Sequence, residues 1–301
     1  MDAWIPVTLL AALAQTARFG LQKQLKVTRL SSAGATFSRY LYSVPLAVVG
    51  ALAYAAATGQ GWPDLTGAFW GYLILGGATQ ILATICVMSL FARRSFSVGI
   101  AFTKTTVLMA VPVGWLLLGD TTSALGFVAI AVGFAGVILL SDIPGDAGAG
   151  FARRVLNKGT ALGLASGLLF ALAGVGYRGA VLEMGALDAV FRALFALAIA
   201  TILQTAAMAI WMRLRESGEI GRVMETWRIA WLVGLASMIG STCWFVAFSM
   251  QNVAYVNALG QVELLFSLAV TAFWFRENIT WREAQGGALL MVSILALVLV
   301  A

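Results

Sequence analysis

Two charged residues stand deep inside long apolar stretches of this sequence, Lys104 and Glu263. Ionisable side chains cost about 2.5–3.5 kcal/mol each in such surroundings on membrane-insertion scales, so they indicate a functional site. The chain contains no histidine, and no aspartate falls within an apolar stretch. A lysine and a glutamate brought together could hold the two ends of a zwitterion. The ammonium of Lys104 would then bind a carboxylate, and the carboxylate of Glu263 would bind an amine.

Two other interpretations of this pair stay open at this point. Lys104 and Glu263 could form a plain ion pair that joins two helices and binds no ligand. Glu263 could also carry the exchanged proton of an antiporter, because burial favours the protonated form of a carboxylate.

The elements that carry these residues are long apolar helices. The chain is 61% hydrophobic and 11% charged, with a mean hydropathy of +0.92, which excludes a soluble fold with a polar surface. A membrane-spanning helix needs about 20 apolar residues, and continuous rather than alternating runs exclude barrel strands. The ten predicted spans are Trp4–Gln22, Ala33–Ala57, Thr66–Ala92, Phe96–Leu118, Thr122–Ser141, Gly159–Val181, Ala189–Met212, Ile229–Met250, Ala254–Phe275 and Thr280–Ala301.

The second half of the chain repeats the first. At an offset of 157 positions, Thr84 falls on Ser241, Cys86 on Cys243, and the segment 104–106 on 261–263. We predict repeats at 1–145 and 159–301, joined by a linker at 146–158. Each repeat has five spans, an odd number, so the second must be inverted relative to the first around a central cavity.

Helix geometry then predicts that the two charges lie at one depth. Lys104 is eight residues after Phe96, about 12 Å at 1.5 Å per residue, and Glu263 is nine after Ala254, about 13.5 Å. Because the two spans enter from opposite faces of a core about 30 Å thick, both charges approach its middle.

The chain has a formal charge of +6. Its basic residues are concentrated around one set of loops, so this charge does not indicate a nucleic-acid partner. Of the 19 Lys and Arg, 15 flank one set of loops, among them Lys23 and Arg39. The positive-inside rule makes that side cytoplasmic and places both termini outside. We expect a multi-pass protein of the bacterial inner membrane.

Several motifs recur in the order typical of one family. The segments Trp115–Asp120 and Phe273–Glu277 each precede a glycine-spaced apolar run, as in Gln285–Gly287, while Gly20–Lys23 and Arg39 open the first copy. This pattern resembles the EamA branch of the drug/metabolite transporter superfamily. The resemblance implies ten helices, a central cavity, and mostly export of amino acids or related metabolites without ATP hydrolysis.

Other polar and aromatic residues are weaker candidates for the site. Arg18 shares a helical stripe with Gln15, Phe19 and Gln22. It is either part of the site or a side chain that extends to the cytoplasmic interface, and its position near the predicted end of its span favours the second interpretation. Further substrate-binding candidates are Gln15, Phe19, Thr84, Trp244, Asn257 and Gln261. Candidate kinks or gates are Pro45, Pro112, Gly174 and Gly176.

The sequence therefore predicts an alternating-access exporter of small zwitterionic metabolites, with hydrophobic or aromatic amino acids as the first candidates. An organic-cation or multidrug exporter is the alternative, in which Glu263 binds the cation. An intramembrane enzyme is disfavoured, because no histidine, paired aspartates or metal-ligand cluster is available to build its site. We expect a monomer with no cofactor and no metal, whose partners are its substrate and the lipid bilayer.

The orientation gives a direct test. If the linker is cytoplasmic, a cysteine at Gly148 will resist an impermeant thiol reagent in intact cells once Cys86 and Cys243 have been replaced. Ready labelling of that cysteine in intact cells would reverse the predicted orientation.

Overall fold

The structure is a computed structural model that describes residues 3–93, 96–118, 157–251, 253–276 and 280–300, with a few single positions between 125 and 139. All regular structure in these ranges is helical, as predicted. The α-helices are α1 Trp4–Thr28, α2 Ser32–Thr58, α3 Gly67–Phe91, α4 Phe96–Thr103, α5 Thr105–Leu118, α6 Lys158–Glu183, α7 Ala189–Arg215, α8 Glu219–Glu225, α9 Trp227–Met250, α10 Val253–Leu259, α11 Glu263–Ala269 and α12 Trp281–Val300. A 3₁₀ turn, Gly260–Val262, joins α10 to α11, and a π-helical segment, Val270–Phe275, follows α11.

Within these ranges, six helices are long and apolar enough to cross a membrane: α1, α2, α3, α6, α7 and α9. They correspond to six of the ten predicted spans. The fifth predicted span, Thr122–Ser141, and the linker at 146–158 lie mostly outside the described residues.

Polar caps set where four of the long helices begin. The side chains of Ser31, Thr66, Asn157 and Asp188 each accept a hydrogen bond from a backbone N–H of the first turn that follows. Such caps satisfy donors that have no partner within the helix. After α2 the chain reverses at Gly59, whose φ of 66° is accessible to glycine at little cost.

The fourth and ninth predicted spans are interrupted near their middles, where continuous helices were expected. The break between α4 and α5 falls at Lys104, whose N–H bonds Ala101 three residues back instead of four. The hydroxyls of Thr103 and Thr106 bond carbonyls three residues back and favour this tightening. By contrast, α5 continues through Pro112, and the kink predicted at that residue stays a prediction.

The two halves of the chain pack against each other through paired helices. The most extensive contacts join α3 to α6, α1 to α9, and α2 to α7. Where α3 meets α6, a Cβ on Gly176 would lie 2.7 Å from the backbone nitrogen of Gly76. Gly176, a predicted gate residue, is therefore a site of backbone-to-backbone packing.

One end of the bundle, called here the basic end, carries the connections 29–31 and 216–218. Its interior is filled by aromatic side chains around Lys23, whose Nζ lies 4.5 Å from the ring centre of Phe275 and 5.8 Å from that of Phe96. Lys23 is buried, so its assignment to a loop flank was wrong. Because α1 ends at Thr28 and not at Gln22, Lys23 lies inside the bundle.

A buried carboxylate connects the halves at the basic end. Glu219 of the short surface helix α8 accepts a 2.5 Å hydrogen bond from the backbone N–H of Ser31 and a 2.7 Å bond from Nε of Arg222. The hydroxyl of Ser31 in turn donates to Glu216 at 2.5 Å. Burial by itself raises the pKa of Glu219, but these hydrogen bonds outweigh it and hold the pKa below its ordinary value.

The Glu219 contact predicts a pH-dependent stability. Glu219→Gln should destabilise the protein by about 1–3 kcal/mol at neutral pH, because a charged acceptor at Ser31 is lost. Since the folded-state pKa is lowered, wild type keeps this advantage at neutral pH and loses it as the pH falls below about 4.3, the ordinary glutamate value. Melting temperatures in detergent measure both effects. Glu225→Gln, at an exposed position, is the control. A difference in melting temperature between wild type and Glu219→Gln that stays the same at acidic pH would contradict the assignment.

Candidate functional site

A cavity of about 90 Å³ lies between helices of both halves of the chain. Its polar lining includes Gln15, Arg18, Arg39, Gln80, Lys104, Asn257 and Gln261, and its aromatic lining consists of Phe170, Tyr177, Trp244, Phe245 and Phe248. An apolar pocket with a few convergent polar groups is typical of small-molecule sites.

The structure brings Lys104 and Glu263 together as an ion pair. Lys104 occupies the break between α4 and α5, and Glu263 is the first residue of α11, directly after the 3₁₀ turn. Glu263 is fully buried, and Lys104 lines the cavity. The amide of Gln15 donates a second hydrogen bond, of 3.0 Å, to the same carboxylate oxygen.

Trp244 holds Gln15 in this position. Its indole Nε1 donates a 3.1 Å hydrogen bond to Oε1 of Gln15, and its ring stacks on Phe248 with 5.8 Å between ring centres. Gly260 makes room for the indole, because a Cβ there would collide with the ring. Trp244 thus connects α1 to the break in the ninth span.

Three buried polar atoms at this break have no hydrogen-bond partner among the described residues: Oε1 of Glu263, Oε1 of Gln261 and Nδ2 of Asn257. Gln261 uses its amide nitrogen to donate to the backbone oxygen of Asn257 at 2.7 Å. An unsatisfied buried polar atom costs about 1–3 kcal/mol. The free acceptors and donor therefore give the wall a capacity to bind a polar ligand.

Arg39 is a cavity residue, although the sequence analysis placed it at a loop flank. Its guanidinium donates to three hydroxyls: Ser237 at 3.1 Å, Ser241 at 3.3 Å and Thr84 at 3.4 Å. Because α2 already begins at Ser32, Arg39 is carried about 10 Å into the bundle. Thr84 lies behind this guanidinium and does not line the cavity itself.

Arg18 is also buried against the cavity, so its interpretation as an interfacial side chain was wrong. The helix α1 continues to Thr28, which places Arg18 about 15 Å from that end. One nitrogen of its guanidinium donates to Gln22 at 2.7 Å, and the group stacks 4.0 Å above the ring centre of Phe19. Phe19 itself is fully buried, packs edge-on against Phe91 and lies outside the cavity lining.

A network of neutral side chains that the sequence did not single out closes another wall. The hydroxyl of Tyr177 donates to Gln80 at 2.8 Å, while the amide of Gln204 donates to Gly77 O and to Gln80, each at 3.0 Å. Because these side chains are uncharged, neither a count of charges nor the hydropathy of the sequence could identify them as site residues. Gly174 lines the cavity beside Tyr177, whereas Pro45 and Pro112 do not.

Comparisons with known proteins give two results. Residues 157–299 match the sequence profile of a family described as the EamA-like transporter family. Over its whole length the chain superposes on a solved structure described only as "Crystal structure of protein", with a TM-score of 0.66 and 14% identity, covering 100% of this chain and 98% of the other. At that identity the likeness shows the fold alone. No curated protein matches this sequence.

The ion pair predicts a characteristic pattern of stabilities. Lys104→Met should destabilise the protein by about 3–5 kcal/mol, because it leaves Glu263 as a buried charge without a counter-charge. Adding Glu263→Gln should recover most of the loss, since both charges are then removed at similar volume. Melting temperatures in detergent give the order of the variants. A double variant no more stable than Lys104→Met would contradict direct pairing.

Proposed function

Because this chain belongs to the EamA-like transporter family, it is a multi-pass membrane transporter and not an enzyme, and we propose that it exports small zwitterionic metabolites by alternating access. Hydrophobic and aromatic amino acids are the first candidates. The observation that carries this proposal is the buried Lys104–Glu263 ion pair, whose lysine lines the cavity.

A zwitterion can enter such a pair without leaving a charge unpaired. Its carboxylate would replace Glu263 as the partner of Lys104, and its ammonium would replace Lys104 as the partner of Glu263. One buried ion pair becomes two, so the desolvation of each charge remains offset. The unpartnered Oε1 atoms of Glu263 and Gln261 supply further acceptors for an ammonium group.

The rest of the cavity favours an apolar side chain on the substrate. Phe170, Trp244, Phe245 and Phe248 together form most of its aromatic wall. Aromatic rings bury large apolar areas and pack well against aliphatic or aromatic groups.

Export of an organic cation is the second candidate, and the free acceptors of Glu263 and Gln261 favour it. Against it stand the guanidiniums of Arg18 and Arg39 on the same cavity, which repel a cation in a low-dielectric site. Counterflow in proteoliposomes with a panel of amino acids and quaternary amines separates the two: exchange of amines alone would replace the zwitterion proposal.

We further propose that residues 1–145 and 159–301 are inverted repeats that move against each other. The contacts support this, because the pairing of α3 with α6 has a counterpart in the pairing of α1 with α9 when the halves are exchanged. The breaks at Lys104 and at 260–262 also fall on equivalent positions of equivalent spans. Discontinuous helices at mid-membrane are typical of transporter binding sites. The basic loops support a cytoplasmic basic end and periplasmic termini in an inner membrane.

The transport test uses the charged pair. Lys104→Met and Glu263→Gln should each lower counterflow of a zwitterion by about tenfold or more, because each removes one anchor. The double variant should fold yet stay inactive, since both ends of the substrate have lost their partners. Rates are measured on equal amounts of reconstituted protein.

The matched control is Lys158→Met with Glu225→Gln, which makes the same two replacements at exposed positions. Normal transport by the Lys104→Met/Glu263→Gln protein would reduce the pair to architecture and leave only the family assignment.

A further inference from the structure

The cavity contains more positive than negative charge. Three cations line it, Arg18, Arg39 and Lys104. In the part of the chain that the structure describes, Lys104 alone is paired with a carboxylate, that of Glu263. An excess of two positive charges therefore remains at the wall of a largely apolar cavity, where unpaired charge is costly.

The bonds that Arg39 makes position its guanidinium without neutralising it. All three acceptors are uncharged hydroxyls at 3.1–3.4 Å, whereas a carboxylate typically lies about 2.7–2.9 Å from a charged nitrogen. Tyr40 supports the group from one side, with its ring centre 4.9 Å from the guanidinium carbon. The planar fork is thus fixed in place beside the cavity.

Arg18 adds a second guanidinium within electrostatic reach of Arg39 and of Glu263. Among the residues that the structure describes, the acceptor of its side-chain hydrogen bond is the neutral amide oxygen of Gln22. Two buried guanidiniums repel each other unless an anion lies between or beside them. Guanidinium forks match the geometry of a carboxylate, to which they donate two parallel hydrogen bonds.

We propose that Arg39 and Arg18 form an anion subsite, separate from the Lys104–Glu263 pair, that binds a carboxylate carried by the transported molecule. This inference rests on the proposed transport of zwitterions and narrows it: the preferred substrate bears an acid group in addition to its zwitterionic head. Acidic amino acids then replace neutral aliphatic and aromatic ones as the best candidates. A free inorganic anion such as chloride, bound together with a neutral amino acid, is the other source of the same negative charge.

Glutamate and glutamine provide a matched test, because they differ in charge at nearly constant shape. In wild-type proteoliposomes, counterflow of glutamate should exceed that of glutamine by about tenfold or more at equal concentration. Arg39→Gln should abolish this preference, so that the ratio of glutamate to glutamine counterflow falls to about one. The ratio of the two rates within one preparation is insensitive to partial loss of folded protein.

The control is Arg192→Gln. Arg192 also lies in a long helix, but its guanidinium bonds the backbone oxygens of Val181 and Gly185 and does not line the cavity. The glutamate preference should survive this replacement. Arg39→Lys, which keeps the charge and loses the fork, should retain only part of the preference.

Binding of chloride at the subsite is tested by the chloride dependence of glutamine counterflow. If a free anion occupies the subsite, glutamine counterflow will require chloride, will fail in gluconate buffer, and will lose this dependence in Arg39→Gln. Equal, chloride-independent exchange of glutamate and glutamine by wild type would overturn the subsite and leave the zwitterion proposal intact.

Failure of the zwitterion proposal can be distinguished from failure of the anion subsite. If no amino acid is exchanged, binding of succinate, a dianion without an amine, decides the question by thermal shift in detergent. Stabilisation of wild type but not of Arg39→Gln by succinate would support the subsite. No stabilisation of either protein would overturn it.

Discussion

The ion pair between Lys104 and Glu263 is the contact on which the centre of this structure depends. Each partner stands where its span is interrupted, so backbone groups and charges are concentrated at one depth. Because neither charge can be solvated there, each needs the other or a ligand that replaces it. Gln15 and Trp244 connect α1 to the same carboxylate. Under the proposed function, a substrate that exchanged partners with the pair would alter contacts in both halves at once.

Around this centre, different contacts join the helices at the two ends of the bundle. At the basic end, Lys23 lies among aromatic rings, and Glu219 and Glu216 hold Ser31 at the start of α2. At the opposite end, Arg178 donates to the backbone oxygens of Phe248 and Gln251. Both sets of contacts join residues far apart in the sequence and consist of a few polar bonds. Alternating access requires such contacts to break in turn, and a handful of hydrogen bonds costs little enough to allow it.

The charge of the cavity follows from the lengths of two helices. Had α1 ended at Gln22, as predicted, Arg18 would reach polar surroundings at the membrane surface, whereas Arg39 lies seven residues inside α2. Hydroxyls and an amide accept the hydrogen bonds of both guanidiniums inside the bundle. Two serines and a threonine position Arg39 but leave its charge for an anion to compensate. Under the proposed function, selection among substrates would therefore depend on net charge as well as on the aromatic wall.

The sequence by itself determined the helical membrane class, the family and the two deep charges, because hydropathy, motif order and the rarity of buried charge are local properties of the chain. It also placed Lys104 and Glu263 at one depth, through the rise of a helix per residue. Only the tertiary structure decided that Arg18, Lys23 and Arg39 are buried. A helix end such as that of α1 can move by more than a turn with little change in hydropathy, and Arg39 meets its hydroxyl partners only once α2 has packed against α3 and α9. The same holds for the Tyr177 network, whose neutral side chains find partners only once distant helices have packed.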